Sequence, residues 1–234
     1  MEKSTFNKFF LALLSLELVL EFIHLQWAIF IVKPAVTSFI IYYFYNQTKE
    51  KPSVFSKSIL IGLVASLGGD IFLMFPKFNP NFFLVGLVSF LIAHLFYIRA
   101  YFQNIKNSSV SNSFSVKLMV ANPIVLMSLS MYALMKKDLN DMKIPVLFYM
   151  TAITVMGVMA GLRINHTSTN SWKKVLGGAI LFLLSDSIIA LNKFVHPFEY
   201  SNLAIMSTYY VAQYFIATGC LEHMEKGESS TESR

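Results

Sequence analysis

Asp70, Asp186, Glu17, Glu21, Lys33, His94 and Lys193 are ionisable side chains set inside long apolar runs. A charge in hydrocarbon costs several kcal/mol unless it is paired, so each such residue marks a site by default. Two carboxyl groups in one apolar setting suit acid–base chemistry, one giving a proton while the other stays ionised. Lys33 and Lys193 offer cations to an anionic substrate group. His94 with the two aspartates is also the donor set of a His-plus-carboxylate metal site that activates water. Hydrolytic zinc sites commonly use two or more histidines, and one well-placed intramembrane histidine leads us to expect neither a metal nor a cofactor.

Spacing puts these groups on common faces. Asp186 and Lys193 are two helical turns apart on one face, with Ala190 between them, and this closeness favours Asp186 as the ionised partner. Tyr209 pairs with Gln213 at i,i+4, His94 with Tyr97 at i,i+3, and Glu17 with Glu21 at i,i+4. At ~1.5 Å rise per residue, Glu17, Lys33, Asp70 and Asp186 all lie within roughly 7–13 Å of the same ends of their helices. His94, Tyr209 and Gln213 lie deeper. Gly68-Gly69 and Gly177-Gly178 allow neighbouring helices to approach these positions closely. The expected result is a polar pocket inside a bundle, opening toward the non-cytoplasmic half of the bilayer.

The elements that hold this pocket are membrane helices. Of 234 residues 55% are hydrophobic and only 14% charged, with a mean hydropathy of +0.56. Soluble domains carry nearer 25% charged residues. Apolar runs long enough to span a bilayer fall near 6–24, 27–45, 54–75, 82–103, 115–135, 145–163, 172–194 and 199–222. The expected fold is therefore all-α: a polytopic integral membrane protein of about eight helices. One bundle domain covers 1–224, and a disordered polar tail covers 225–234. The formal net charge of +6 comes from residues scattered between apolar blocks, which excludes a nucleic-acid footprint.

Basic residues orient the bundle. With the N-terminus cytoplasmic, that side holds Lys3, Lys8, Lys49, Lys51, Lys57, Arg99, Lys106, Lys117, Arg163, Lys173, Lys174, Lys226 and Arg234. The other side holds only Lys77, Lys136, Lys137 and Lys143, so both termini are expected in the cytoplasm. The sequons at Asn46, Asn107 and Asn165 then face the cytoplasm and stay unglycosylated. The single Cys220 excludes an intramolecular disulfide. No cleavable signal peptide is read, since the first apolar block contains Glu17 and Glu21.

Asp70 is followed seven residues on by Lys77-Phe78, and Asp186 by Lys193-Phe194. That echo, offset by four spans, suggests a parallel four-plus-four repeat. Plainer readings stand beside these. A membrane aspartate or histidine also serves to bond a neighbouring helix, Lys193 can snorkel to the interface, and Arg163 in MAGLR reads as a cytoplasmic anchor at a helix end.

Five segments, SLGGDIFLMF, AHLFYIRAYF, MAGLR, LLSDSIIALNKF and IMSTYYVAQ, occur in that order. Together they resemble the YhhN-like lysoplasmalogenases, and their eukaryotic transmembrane protein 86 branch in particular, over about 54–222. The resemblance implies an eight-helix hydrolase that cleaves the vinyl ether of lysoplasmalogens, releasing a fatty aldehyde and glycerophosphoethanolamine or glycerophosphocholine. It carries the hallmark aspartates onto Asp70 and Asp186, a His-x-x-Tyr element onto His94 and Tyr97, and a Tyr-Tyr-x-x-Gln element onto Tyr209, Tyr210 and Gln213. These last, with Lys33 and Lys193, would orient substrate, water or lipid phosphate. The implied partners are the lysolipid and the bilayer, with no nucleic acid. The eukaryotic branch implies the endoplasmic reticulum or a related endomembrane, and a homo-oligomer is compatible with the sequence. From the residues alone, the competing classes are a proton or small-solute transporter, which also uses midplane charge and parallel repeats, and a non-catalytic lipid-binding protein.

Overall fold

A computed structural model describes residues 1–75, 79 and 81–232, with side chains described through Glu225. Among them the secondary structure is entirely helical. The long helices are α1 (Lys3–Phe22), α2 (Gln26–Thr48), α3 (Val54–Met74), α4 (Asn81–Lys106), α5 (Phe114–Met135), α6 (Lys143–Leu162), α7 (Thr169–Ala190) and α8 (Ser201–Glu232). A 3₁₀ turn (Asn140–Met142) leads into α6, and a π turn (Leu191–Val195) extends α7. Lys77-Phe78, and with them that half of the sequence echo and the Lys77 orientation count, lie outside the described residues. So do residues 233–234 and the side chains of the tail beyond Glu225.

Polar residues set the helix ends. Ser53 caps α3 through a reciprocal box with Ser56, while Ser113 and Ser168 accept from Val116 and Ser171 to cap α5 and α7. His24, Asn140, Asn165 and Tyr200 take left-handed backbone in the short connections.

Six helices, α2 to α7, are long and apolar enough to cross a membrane among the described residues. α1 and α8 fall short because polar and charged residues interrupt them, for different structural reasons. α1 buries Phe6, Phe10, Leu14, Glu17, Leu20 and Glu21 and exposes Phe9, Leu11, Leu16, Val19 and Phe22 on its other side. α8 is the central helix: between Ser201 and Glu225 only Asn202 and Glu225 are exposed. A helix surrounded by protein need not be apolar all round, because its polar groups find partners inside the bundle.

Small residues bring the helices together, since lipid supplies little hydrophobic drive between them. A Cβ on Gly69 would stand 2.5 Å from the Phe90 ring on α4. One on Gly178 would stand 2.8 Å from the Ala212 carbonyl oxygen on α8. α3 with α4 and α7 with α8 are accordingly the two most extensive helix pairings.

The packing repeats with an offset of four helices. The pairings α1–α2, α2–α3 and α2–α8 have counterparts in α5–α6, α6–α7 and α6–α4. α1 against α8, α5 against α7 and α3 against α8 break the pattern. Two four-helix halves thus face each other, with Asp70 on α3 of the first and Asp186 on α7 of the second.

Candidate functional site

Asp70 lies one turn from the end of α3 and is 2% exposed. Its Oδ2 accepts from the Thr37 hydroxyl of α2 at 2.7 Å and from the Tyr209 hydroxyl of α8 at 2.9 Å. Tyr209 Oη in turn accepts from Gln213 Nε2 at 3.2 Å, and Gln213 Oε1 accepts from Tyr97 Oη at 2.9 Å. The chain Tyr97 to Gln213 to Tyr209 to Asp70 runs in one direction, each donor polarising the next. It turns the three polar residues expected on α4 and α8 into one wire that ends on a carboxylate oxygen.

Asp186 has the matching surroundings in the other half. Its Oδ2 accepts from the Tyr149 hydroxyl of α6 at 2.5 Å, and His94 Nε2 of α4 stands 3.7 Å away. Under the four-helix offset the partners of the two aspartates come from matching helices, Thr37 and Tyr149 from α2 and α6, Tyr209 and His94 from α8 and α4. His94 is fully buried, neither ring nitrogen has a hydrogen-bond partner, and its ring stands edge-on to Tyr149 and Phe182. A buried imidazole left unpaired beside a carboxyl group is a feature of a site more than of a settled core.

Both aspartates open on one small pocket. Lys33, Asp70, Asp186, Tyr209 and Ser185 line it together with Leu73, Phe90, Ile189, Ile205 and Met206. A second, larger cleft adjoins it and shares Leu73, Phe90, Asp186 and Ile189. Its wall is apolar (Phe83, Leu87, Met135, Val146, Met150, Ile153, Leu183 and Phe194 among others), apart from Asp186, Tyr149 and Ser187.

Other expected residues sit less centrally. Lys33 is 8% exposed and lines the polar pocket, close enough to Asp70 and Glu17 for its charge to act on both. Glu17 is fully buried with neither carboxyl oxygen hydrogen-bonded. The Tyr210 hydroxyl is spent on the Lys33 carbonyl at 3.0 Å, so Tyr210 fixes α2 against α8.

Two expectations are corrected. Lys193 does not share the face of Asp186: the π turn that begins at Leu191 changes the angular step, and Lys193 is exposed with its ammonium 5.1 Å from the Phe83 ring centroid. The argument that Lys193 holds Asp186 ionised falls with that face. Arg163 is no surface anchor but is fully buried. Its Nε donates to Asn104 Oδ1 at 2.6 Å and its Nη2 to Ser171 Oγ at 3.1 Å, with the guanidinium over the Phe55 and Tyr101 rings. It ties α4, α6 and α7 together at the end of the bundle far from the aspartates.

Thr37 and Tyr149 were not singled out from the sequence. Thr37 follows Lys33 by one turn on α2, a usable signal; Tyr149 sits in an apolar run and is recognisable only from the packing of α6 against α7. Among the described residues no group of three or more His, Cys, Asp or Glu side chains is gathered to hold a metal ion.

The profile of the YhhN family matches residues 28–220 of this chain. Lysoplasmalogenase TMEM86A of Homo sapiens is 36% identical over 176 residues, covering 73% of this chain and 68% of that protein. Lysoplasmalogenase TMEM86A of Bos taurus is 33% identical over 174 residues, 73% of this chain and 68% of that protein. Lysoplasmalogenase TMEM86B of Homo sapiens is 31% identical over 159 residues, covering 68% of this chain and 61% of that protein. No solved structure matches the chain.

Proposed function

The chain belongs to the YhhN family, and from that premise we propose that it is a lysoplasmalogenase, a hydrolase of the vinyl-ether bond in 1-alkenyl lysophospholipids. The observation that carries this reading is the pair of aspartates on one small pocket beside an apolar cleft. A lysolipid has that division, an aliphatic chain joined to a polar glycerol head at the bond to be broken.

The chemistry asks for few groups. A vinyl ether hydrolyses by protonation of its β-carbon, which leaves an oxocarbenium ion at the carbon bonded to the ether oxygen. Water adds there, and the hemiacetal collapses to a fatty aldehyde and the glycerol alcohol. One water is consumed and no electrons are exchanged. An acid, a carboxylate beside the cation and a placed water suffice, as in glycosidases that face the same ion. Asp70 and Asp186 supply the two carboxyl groups. The Tyr97–Gln213–Tyr209 chain fixes the orientation of Asp70, Tyr149 and His94 flank Asp186, and Lys33 meets the lipid phosphate. Lys193 and Tyr210 act at most at the margin, by packing.

In this reading all eight helices cross the bilayer, α1 with its apolar flank in lipid and α8 enclosed by protein. Both termini are cytoplasmic, the tail at 225–234 lies outside the single bundle of 1–224, and the membrane is that of the endoplasmic reticulum. An N-glycan found at Asn107 would reverse this orientation.

Purified protein should release aldehyde from a 1-alkenyl lysophospholipid. Asp70→Asn and Asp186→Asn should fold and lose turnover by roughly 10²–10⁴-fold, the usual worth of a placed acid or base. Near-normal turnover in either variant removes that residue from the mechanism. No aldehyde from the wild type leaves the transporter reading instead.

A further inference from the structure

We propose that the apolar cleft between α4, α5, α6 and α7 seats the alkenyl chain of the substrate, with Asp186 facing the chain side of the vinyl ether and Asp70 the glycerol side. This rests on the lysoplasmalogenase reading and adds to it the direction in which the lipid lies.

Three observations carry the assignment. First, the two cavities meet at Asp186 and share Leu73, Phe90 and Ile189, so they form one continuous path past both aspartates. Second, their chemistry is opposed. Lys33 lines the small pocket, whereas no cation is among the residues lining the larger cleft, Lys193 standing exposed at its edge over the Phe83 ring, and a phosphate placed deep in it would be stranded among aliphatic and aromatic side chains. Third, the aspartates differ in what they already hold. Asp70 Oδ2 takes two donated hydroxyls, which suits a carboxylate that accepts a further proton from water. Asp186 takes one hydroxyl and lies on the wall where the chain would run.

The proton balance follows from that placement. The Asp186 carboxyl gives its proton to the chain carbon, and the double-bond electrons form the new C–H bond. The cation at the neighbouring carbon accepts water, whose proton passes to Asp70. On collapse the hemiacetal hydroxyl proton returns to Asp186, the bond to the glycerol oxygen breaks, and that oxygen takes the proton from Asp70. Both carboxyl groups end as they began.

Val146, on α6 one turn before Tyr149, lines the cleft and touches neither aspartate among the described contacts, so Val146→Phe is the variant that shortens the seat. Activity is measured on alkenyl lysophospholipids of graded chain length and on headless 1-alkenylglycerol. Val146→Phe should move the preferred chain to shorter lengths, cutting kcat/KM for the longest by at least about tenfold relative to the shortest, as an overfilled apolar pocket does. Its preference for phospholipid over alkenylglycerol should not change. Lys33→Met should do the reverse, erasing the head-group preference and keeping the chain-length profile. An unchanged chain profile in Val146→Phe and in a second cleft variant, Leu87→Phe, overturns the proposal, and so does a chain-length shift in Lys33→Met. A non-cleavable alkyl-ether lysolipid with a mid-chain diazirine reads the seat without turnover. Cross-links at Met135, Met150 or Phe194 support the proposal even if the wild type yields no aldehyde, and cross-links confined to the outer faces of α1 or α5 refute it.

Discussion

Asp70 and Asp186 stand at corresponding points of two four-helix halves, each gripped through Oδ2 by a hydroxyl from the helix preceding its own: Thr37 of α2 and Tyr149 of α6. The halves differ at the next partner. Tyr209 reaches Asp70 at 2.9 Å, whereas His94 stops 3.7 Å from Asp186. The internal symmetry sets two carboxyl groups on one pocket, and its breaking leaves them with different partners.

That difference predicts unequal hydroxyl deletions. Tyr149→Phe removes the one hydroxyl bonded to Asp186 and leaves that buried carboxyl without a partner, which should lower kcat/KM roughly 10- to 100-fold, the usual cost of a buried polar group left unpaired. Thr37→Val leaves Tyr209 on Asp70 and should cost less than about tenfold. Steady-state kinetics on protein matched for melting temperature checks both, and equal losses would contradict the asymmetry.

Arg163 should matter for stability and not for turnover. Arg163→Met strips the donor from buried Asn104 Oδ1, at a cost of about 1–3 kcal/mol. Arg163→Lys should recover little, because an ammonium cannot reproduce the guanidinium fork that serves Asn104 and Ser171 together. Thermal melts in detergent should fall for both, while aldehyde release per folded molecule stays near the wild-type value.

The glycine pair on α7 separates into two cases. Gly178→Val drives a side chain into the α8 backbone at Ala212 and Ile216, and overpacking of this kind costs about 1–3 kcal/mol. It also moves Tyr209 away from the pocket, so melting temperature and activity should fall together. Gly177→Val meets only Phe215, at 3.7 Å from the added Cβ, and should be close to silent in both measurements.

Acid should loosen the end of the bundle opposite the aspartates. His223 lies one residue beyond the apolar run 199–222, and burial, then the nearby Arg163, push its imidazole down to about 4. The Asn104 amide nitrogen can only donate, so His223 Nε2 accepts at 3.1 Å, and Nδ1–H faces the Thr167 hydroxyl at 3.0 Å. The unfolded chain therefore binds more protons than the folded one between the ordinary histidine value, about 6.5, and 4. Stability should fall as pH drops through that window and level off below it. Burial lowers His166, in the connection after α6, in the same direction. His223→Gln keeps an acceptor and a donor without titrating, and should make the melt less sensitive to acid across that window than the wild type.

Much of this protein was legible in its residues. Eight apolar or near-apolar runs became eight long helices, six of them long and apolar enough to span a membrane, with ends close to those expected except in α8, which continues to Glu232 through most of the tail expected to be disordered. A spanning helix must satisfy every backbone group within itself. Asp70, His94, Tyr97, Asp186, Tyr209 and Gln213 were readable because charge or convergent polarity in hydrocarbon is costly and local spacing sets a helical face. Lys193 was misread because the seven-residue rule assumes an unbroken α-helix, and a π turn starts two residues before it. Arg163 was misread because a basic residue at a helix end looks the same whether it faces headgroups or three other helices. Thr37 offered only its one-turn spacing from Lys33, and Tyr149 carried no local signal. Which carboxyl group each hydroxyl serves, and that both groups share a pocket beside an apolar cleft, depends on pairings between helices far apart in the chain. Spacing along one helix sets which residues share a face, but only packing against other helices decides what that face meets.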